Sequence, residues 1–179
     1  MRLPGPITAV FVQLALGTCV TAAWPAEGVD NPAAIERIYR SGQTTLAFQR
    51  IDKALAAQPQ DSSLRFLRAL MLSDAQRSAE ARTEYERLTQ DFPELPEPFN
   101  NLAVIEAGQG RLGRARDLLE TALRNDPAYL TAHMNLGDVY ARLAVRAFEA
   151  AASAPRVDDA LLRKLRMARE LVGTSAARP

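Results

Sequence analysis

The sequence predicts an all-α chain of stacked helix–turn–helix repeats, closed by one further helix. Three observations predict it. Residues recur with a period of 34, the length of one two-helix repeat. Hydrophobic residues make up 47% of the 179 residues but aromatics only 6%, which favours helices over the aromatic and β-branched strands of a sandwich or barrel. Pro59, Pro93 and Pro127 share one phase of the period, where each would stop a helix. The same composition excludes a wholly disordered chain and a polytopic membrane protein. The charge is balanced at a formal +1, with 22 Lys and Arg against 21 Asp and Glu, so no nucleic-acid partner is expected.

Residues 1–26 read as a secretory signal. Arg2 and the terminal amine supply the positive start. Residues 7–20 form an uncharged apolar core, and the small Thr21, Ala22 and Ala23 follow. Cleavage is expected after Ala23, with Ala22 and Ala26 as alternatives. Two other readings stay open. The uncharged run 7–26 approaches the ~20 residues that span a bilayer, although Gln13, Gly17 and Pro25 weaken it. Leu16-Gly17-Thr18-Cys19 resembles a bacterial lipobox, whose Cys becomes the lipidated first residue, with Thr18 where Gly, Ala or Ser is usual. A periplasmic or otherwise exported protein is therefore expected, or a lipoprotein through Cys19. Membrane contact is expected only if Cys19 is lipidated or the N-terminal segment is retained. Cys19 is the only cysteine, so its removal leaves no disulfide, Cys metal site or Cys nucleophile.

Four columns carry the repeat. Besides the Pro column, Ala47, Ala81 and Ala115 lie 34 apart. So do Ile51, Tyr85 and Leu119, and so do Ala54, Leu88 and Ala122. Ile35, Ala69, Ala103 and Gly137 form a column in the first helices, where the two helices of a repeat should approach closely. A larger apolar residue one turn on continues the same face. Gly42 and Gly110 fall in the turn between helices, where a positive φ is often needed. Asn31-Pro32 predicts a helix start, with a cap followed by a first-turn Pro.

At these residues the chain resembles the tetratricopeptide repeat family, over about residues 28–152. The clearest repeat is 96–129, with Phe99, Leu102, Ala103, Ala115, Leu119, Ala122 and Pro127 on the motif. Asn101 and Asp126 also match, while Glu106 stands where a large apolar residue is usual. The repeat 62–95 keeps Ala69, Leu72, Ala81, Tyr85, Leu88 and Pro93, but places Arg65 and Arg68 at apolar motif positions. The repeat 28–61 is degenerate in its first helix. The resemblance implies a right-handed α-solenoid of about 3.5 repeats with a C-terminal capping helix and a concave groove.

The fourth repeat, 130–154, begins on the motif with Asn135, Leu136, Gly137 and Tyr140 and is then truncated. Ala144, Phe148 and Ala151 recover the second-helix pattern only with about five turn residues deleted. No breaker separates Leu136 from Ala154, which predicts one long helix or two with a very tight junction. Pro155 should end it. Asp158 or Asp159 should cap a last helix over 158–172, with Leu161, Leu162, Leu165, Ala168 and Val172 on one face. That helix reads as the terminal cap that repeat stacks need. A frayed tail is expected over 173–179.

No catalytic constellation is apparent, and no enzyme activity, cofactor or metal is expected. His133, the only His, reads as a helix–helix contact. Ser62 and Ser63 read as helix caps. Glu80, Glu84 and Glu86 alternate with Arg77, Arg82 and Arg87, which suits solvated helix pairs. No Walker loop, dinucleotide motif or zinc spacing is present.

The resemblance implies that the first helices line the groove. Carried onto this chain, the groove candidates are Phe66, Leu70, Glu97, Asn100, Val104, Thr131, Met134, Asp138 and Arg142, beside Ser63. Asn100 is expected to hydrogen-bond a peptide backbone, since its amide both donates and accepts. Phe66 and Met134 either accept an apolar side chain or pack between repeats. A clamp for a C-terminal carboxylate is not expected, because its positions hold Phe66, Leu70 and Asn101 without basic residues. The leading expectation is a protein or peptide partner held in the groove, in a bacterial cell envelope. The alternative is a structural or self-associating subunit of a membrane-associated assembly that uses the C-terminal helix.

Overall fold

The computed structural model of the chain describes residues 31–154 and 157–175. Eight helices follow one another among them: α1 (Pro32–Arg40), α2 (Thr44–Ala57), α3 (Ser62–Asp74), α4 (Ser78–Asp91), α5 (Pro96–Gly108), α6 (Leu112–Asn125), α7 (Leu130–Ala152) and α8 (Asp159–Ser175). No strand occurs among the described residues. Each helix packs on the next, and α1 also touches α3 as α5 touches α7. The fold is an all-α helical repeat solenoid. The export signal and its alternatives, and residues 176–179, lie outside the described residues. None of the described helices is long and apolar enough to cross a membrane.

Local chemistry sets the ends of the elements. Asn31 caps α1, its Oδ1 accepting from the Ala34 amide at 2.8 Å, with Pro32 in the first turn. Asp61, rather than Ser62 or Ser63, caps α3 by accepting from the Leu64 amide at 2.9 Å. Ser62 and Ser63 already have helical backbone, which turns their hydroxyls away from the first-turn amides, whereas the extended backbone of Asp61 aims its carboxylate at them. Asp158 caps α8 through the Leu161 amide at 2.7 Å. Gln58, Phe92 and Asp126 leave the helical region with φ near −134°, as residues before Pro59, Pro93 and Pro127 must.

The turns within the first three pairs depend on one left-handed residue each. Gly42 has φ 82°, Gly110 has φ 78°, and Gln76, in the same column, has φ 60°. The fourth member of that column is Ala144, inside α7. With neither Gly nor a forced left-handed residue there, the helix continues, and the single long helix was one of the two predicted forms. Its extension has work: Arg142 Nη2 donates to the Ala107 carbonyl at 2.8 Å and Arg146 Nη2 to the Gly110 carbonyl at 3.0 Å. The first adds to the bond that the Ala107 carbonyl already accepts from the Gly110 amide, and the second ties α7 to the turn after α5.

Apolar packing is divided among three clusters, each shared by three successive helices. Ile35, Ile51, Leu64 and Met71 join α1, α2 and α3. Leu72, Tyr85, Leu88 and Leu102 join α3, α4 and α5. Ala103, Leu112, Leu119 and Val139 join α5, α6 and α7.

The polar departures from the motif tie repeats together. Glu106 is fully buried and accepts from Arg82 Nε at 2.9 Å and from Arg111 Nε, with Arg114 3.6 Å away. These hydrogen bonds and charges hold the Glu106 carboxyl down at about 2, against the opposing effect of burial. Arg68 bridges Asp52 of α2 at 2.9 Å and Glu84 of α4 at 3.1 Å. Arg65 pairs with Asp91 at 2.7 Å and lies over the Phe92 ring. The expected solvated pairs of α4 are therefore corrected in part. Arg77–Glu80 stays on one exposed helix face, but Arg82 and Glu84 reach other helices.

The last pair is built differently. Leu165 and Ala168 of α8 are buried, and α8 packs on α7. Gly137, expected at a close helix approach, is exposed, with no heavy atom within 4 Å of where a Cβ would stand. The close seat that Ala69 and Ala103 occupy in their pairs is empty of α8, because the extended α7 brings α8 back along another face. α8 also runs to Ser175, three residues past its predicted end at 172. His133 is likewise corrected. It is exposed, and its Nε2 lies 3.0 Å from the Pro127 carbonyl instead of packing between helices.

Candidate functional site

The first helices α3, α5 and α7 line two adjoining cavities. One, of about 340 Å³, lies between Val104, Ala107 and Gly108 of α5 and Asp138, Val139 and Arg142 of α7, with Val172 of α8 completing the wall. The other, of about 500 Å³, lies between Leu70 and Ser73 of α3 and Asn101, Val104 and Gly108 of α5, over Tyr85 of α4. Both share Val104 and Gly108. Val104 is thus a ridge between them, and it is 50% exposed. Gly108 presents no side chain at the point where they meet.

The two cavities differ in chemistry. Every residue lining the second is uncharged, and its polar groups are hydroxyls and amides: Ser73, Gln76, Ser78, Asn101 and Gln109. Burial raises the Tyr85 phenol, against the effect of hydrogen bonds with Ser73 and Asn101. The first cavity holds one cation, Arg142, whose guanidinium is committed to the Ala107 carbonyl. A free anion therefore meets no basic group in the second cavity, and in the first it meets Arg142 beside the Asp138 carboxylate. The second cavity offers apolar contact plus neutral hydrogen bonding, the first adds the Asp138 carboxylate and the Arg142 guanidinium to its apolar wall, and neither cavity offers a nucleophile poised beside a base. Among the described residues, no three His, Cys, Asp or Glu side chains stand together as a metal site.

Of the groove candidates, Leu70, Val104, Asp138 and Arg142 come together on these walls. Met134 is 46% exposed on the same helix as the first cavity's α7 wall but lines neither cavity, nor do the exposed Thr131 and Glu97. Phe66 is partly buried, packed on the core with its ring 6.0 Å from that of Tyr85. Asn100 is a correction. It is 2% exposed, donates to Asn101 Oδ1 at 3.2 Å and accepts from Asn135 Nδ2 at 2.8 Å. The amide expected to grip a peptide is instead spent between α5 and α7, because α7 covers it. The accessible amides are its neighbours, Asn101 on the second cavity and Asn135 on the first. They stand 34 apart, so the repeat period itself marks them.

A model of the tetratricopeptide repeat matches residues 38–96 and 100–176. The chain belongs to the tetratricopeptide repeat family. The second match extends through α8. Solved tetratricopeptide structures share the fold. The first domain of Spaghetti (RPAP3), bound to the HSP90 peptide SRMEEVD, is 17% identical with a TM-score of 0.58, covering 63% of this chain and 90% of that one. The second domain of human RPAP3, in complex with the HSP70 peptide SGPTIEEVD, is 18% identical with a TM-score of 0.54, covering 60% and 90%. Pseudomonas aeruginosa pilF is 18% identical with a TM-score of 0.57, covering 83% and 76%. At these identities the likeness is one of fold. Among curated proteins there is no significant sequence match.

Proposed function

We propose that the chain is a protein-interaction scaffold that holds an extended, largely uncharged peptide segment of a partner protein across the Val104 ridge. The observation that carries this reading is the pair of adjoining cavities on α3, α5 and α7, which share Val104 and Gly108. Preorganised walls on rigid helices lower the entropy lost on binding. Aliphatic side chains suit the first cavity, and amide or hydroxyl side chains suit the second. The peptides held by the RPAP3 domains end in Glu-Glu-Val-Asp. The clamp positions here hold Phe66, Leu70 and Asn101 and supply no basic group to pair such a tail, which argues for a different ligand. The site of action we propose is a bacterial cell envelope, reached through the signal in residues 1–26, with lipidation at Cys19 as the alternative route.

Selection of random nonapeptides on the purified protein tests this. Selected sequences should be poor in Asp and Glu, and Val104→Glu should weaken their binding at least tenfold while circular dichroism stays unchanged. A carboxylate on the ridge removes apolar contact from both cavities at once. Unchanged affinity in that variant would move the binding site off this face.

A further inference from the structure

We infer that α8 is a self-association surface, and that it pairs antiparallel with α8 of a second copy. The helix has one buried apolar stripe and one exposed stripe that is apolar but for Lys164, whose alkyl stem can lie along the seam with its ammonium in water. Leu165 and Ala168 are buried against α7. About 100° round the helix, at 100° per residue, runs a second stripe of Ala160, Lys164, Met167 and Leu171. All four are exposed, Met167 by 64% and Leu171 by 63%. Their spacing of four, three and four is the spacing of a coiled-coil seam. Since α7 sits a quarter-turn away, it leaves this seam open to another helix.

The charges choose the partner and its direction. Arg163 and Glu170 lie seven residues apart on the solvent flank of the seam. An antiparallel pair brings this flank of one helix against the same flank of the other, so Arg163 of each copy meets Glu170 of its mate, twice per dimer. Neither residue forms an ion pair among the described residues, whereas Arg65, Arg68, Arg82 and Arg111 are all paired within the stack. The opposite end of the solenoid gives α8 no apolar mate. Among the described residues, no large hydrophobic side chain of α1 or α2 is exposed. Head-to-tail stacking would therefore set apolar against polar surface, while a two-fold contact sets the seam against itself.

Sedimentation velocity of the purified exported protein over a concentration series tests the pairing. The expected result is a monomer–dimer equilibrium. Arg163→Glu alone and Glu170→Arg alone should each raise the dimer Kd about tenfold, since each places like charges opposite one another twice. The double swap should return the Kd to within about threefold of the starting protein, by the same charge-pair energies. Met167→Glu should leave a monomer. All these positions are exposed, and circular dichroism would report any loss of fold. A monomer at every concentration, an open ladder of higher oligomers, or a double swap that fails to rescue would each overturn the inference.

Discussion

The first three helix pairs and the last pair share one sequence period but use its columns for different purposes. Position 103 holds a buried Ala where two helices meet, and position 137 holds an exposed Gly facing open space. Position 106 holds a buried carboxylate bound by Arg82 of α4 and by Arg111, the residue before α6. Position 140 holds an exposed Tyr whose hydroxyl donates to Glu120 at 2.9 Å. Position 110 turns the chain, and position 144 lies within a helix. A column thus states where a residue sits along a helix. What it touches is decided by whether a neighbour is seated against it.

The largest expected contrast is at positions 106 and 140. The Glu106 carboxyl titrates at about 2 in the fold, below its ordinary 4.5. Its contribution is therefore complete above about pH 4.5 and is lost as pH falls through 2, an effect of about 3 kcal/mol. Denaturant titrations across that range should show Glu106→Gln flattening the acid limb of the stability curve. Tyr140→Phe should change stability by no more than about 0.5 kcal/mol, as surface substitutions do.

Next comes the small-residue column. Ala103→Leu should destabilise by about 2–3 kcal/mol through overpacking. Gly137→Ala should stabilise by about 1 kcal/mol, because the helix gains propensity and the new methyl meets nothing. Equal costs at both sites in thermal melts would erase the distinction between the pairs.

The turn column follows. Gly110→Ala should cost about 1–2 kcal/mol for its left-handed φ. Gln76→Gly should gain up to about 1 kcal/mol by relieving the same strain. Ala144→Gly should cost about 1 kcal/mol, since its backbone is helical. A gain at 144 would mean that the long helix is itself strained.

These contrasts also mark what the sequence makes legible. Backbone punctuation is local, so Asn31-Pro32, Gly42, Gly110 and the Pro column read correctly from a few residues each. Contacts between repeats are not local. Arg82 meets Glu106 from 24 positions away, and no spacing within α4 reveals it. The groove shows the same limit. Asn100 and Met134 occupy one column, yet α7 covers Asn100 while Met134 remains half-exposed. Val104, Leu70, Asp138 and Arg142 were readable because the helical period places them on one face. Asn135 is absent from the groove candidates and Asn101 enters only as a clamp position, although their 34-residue spacing marks the pair.

The most direct test of the central claim is amide chemical-shift mapping of a selected nonapeptide on the isotope-labelled protein. The account predicts the largest perturbations at Val104 and Gly108, with Asn101 and Asp138 following, smaller ones at Tyr85 and Leu119, which floor the cavities, and little change along α1 and α2. Perturbations concentrated on α1, α2 or the exposed face of α8, with Val104 and Gly108 unmoved, would contradict it.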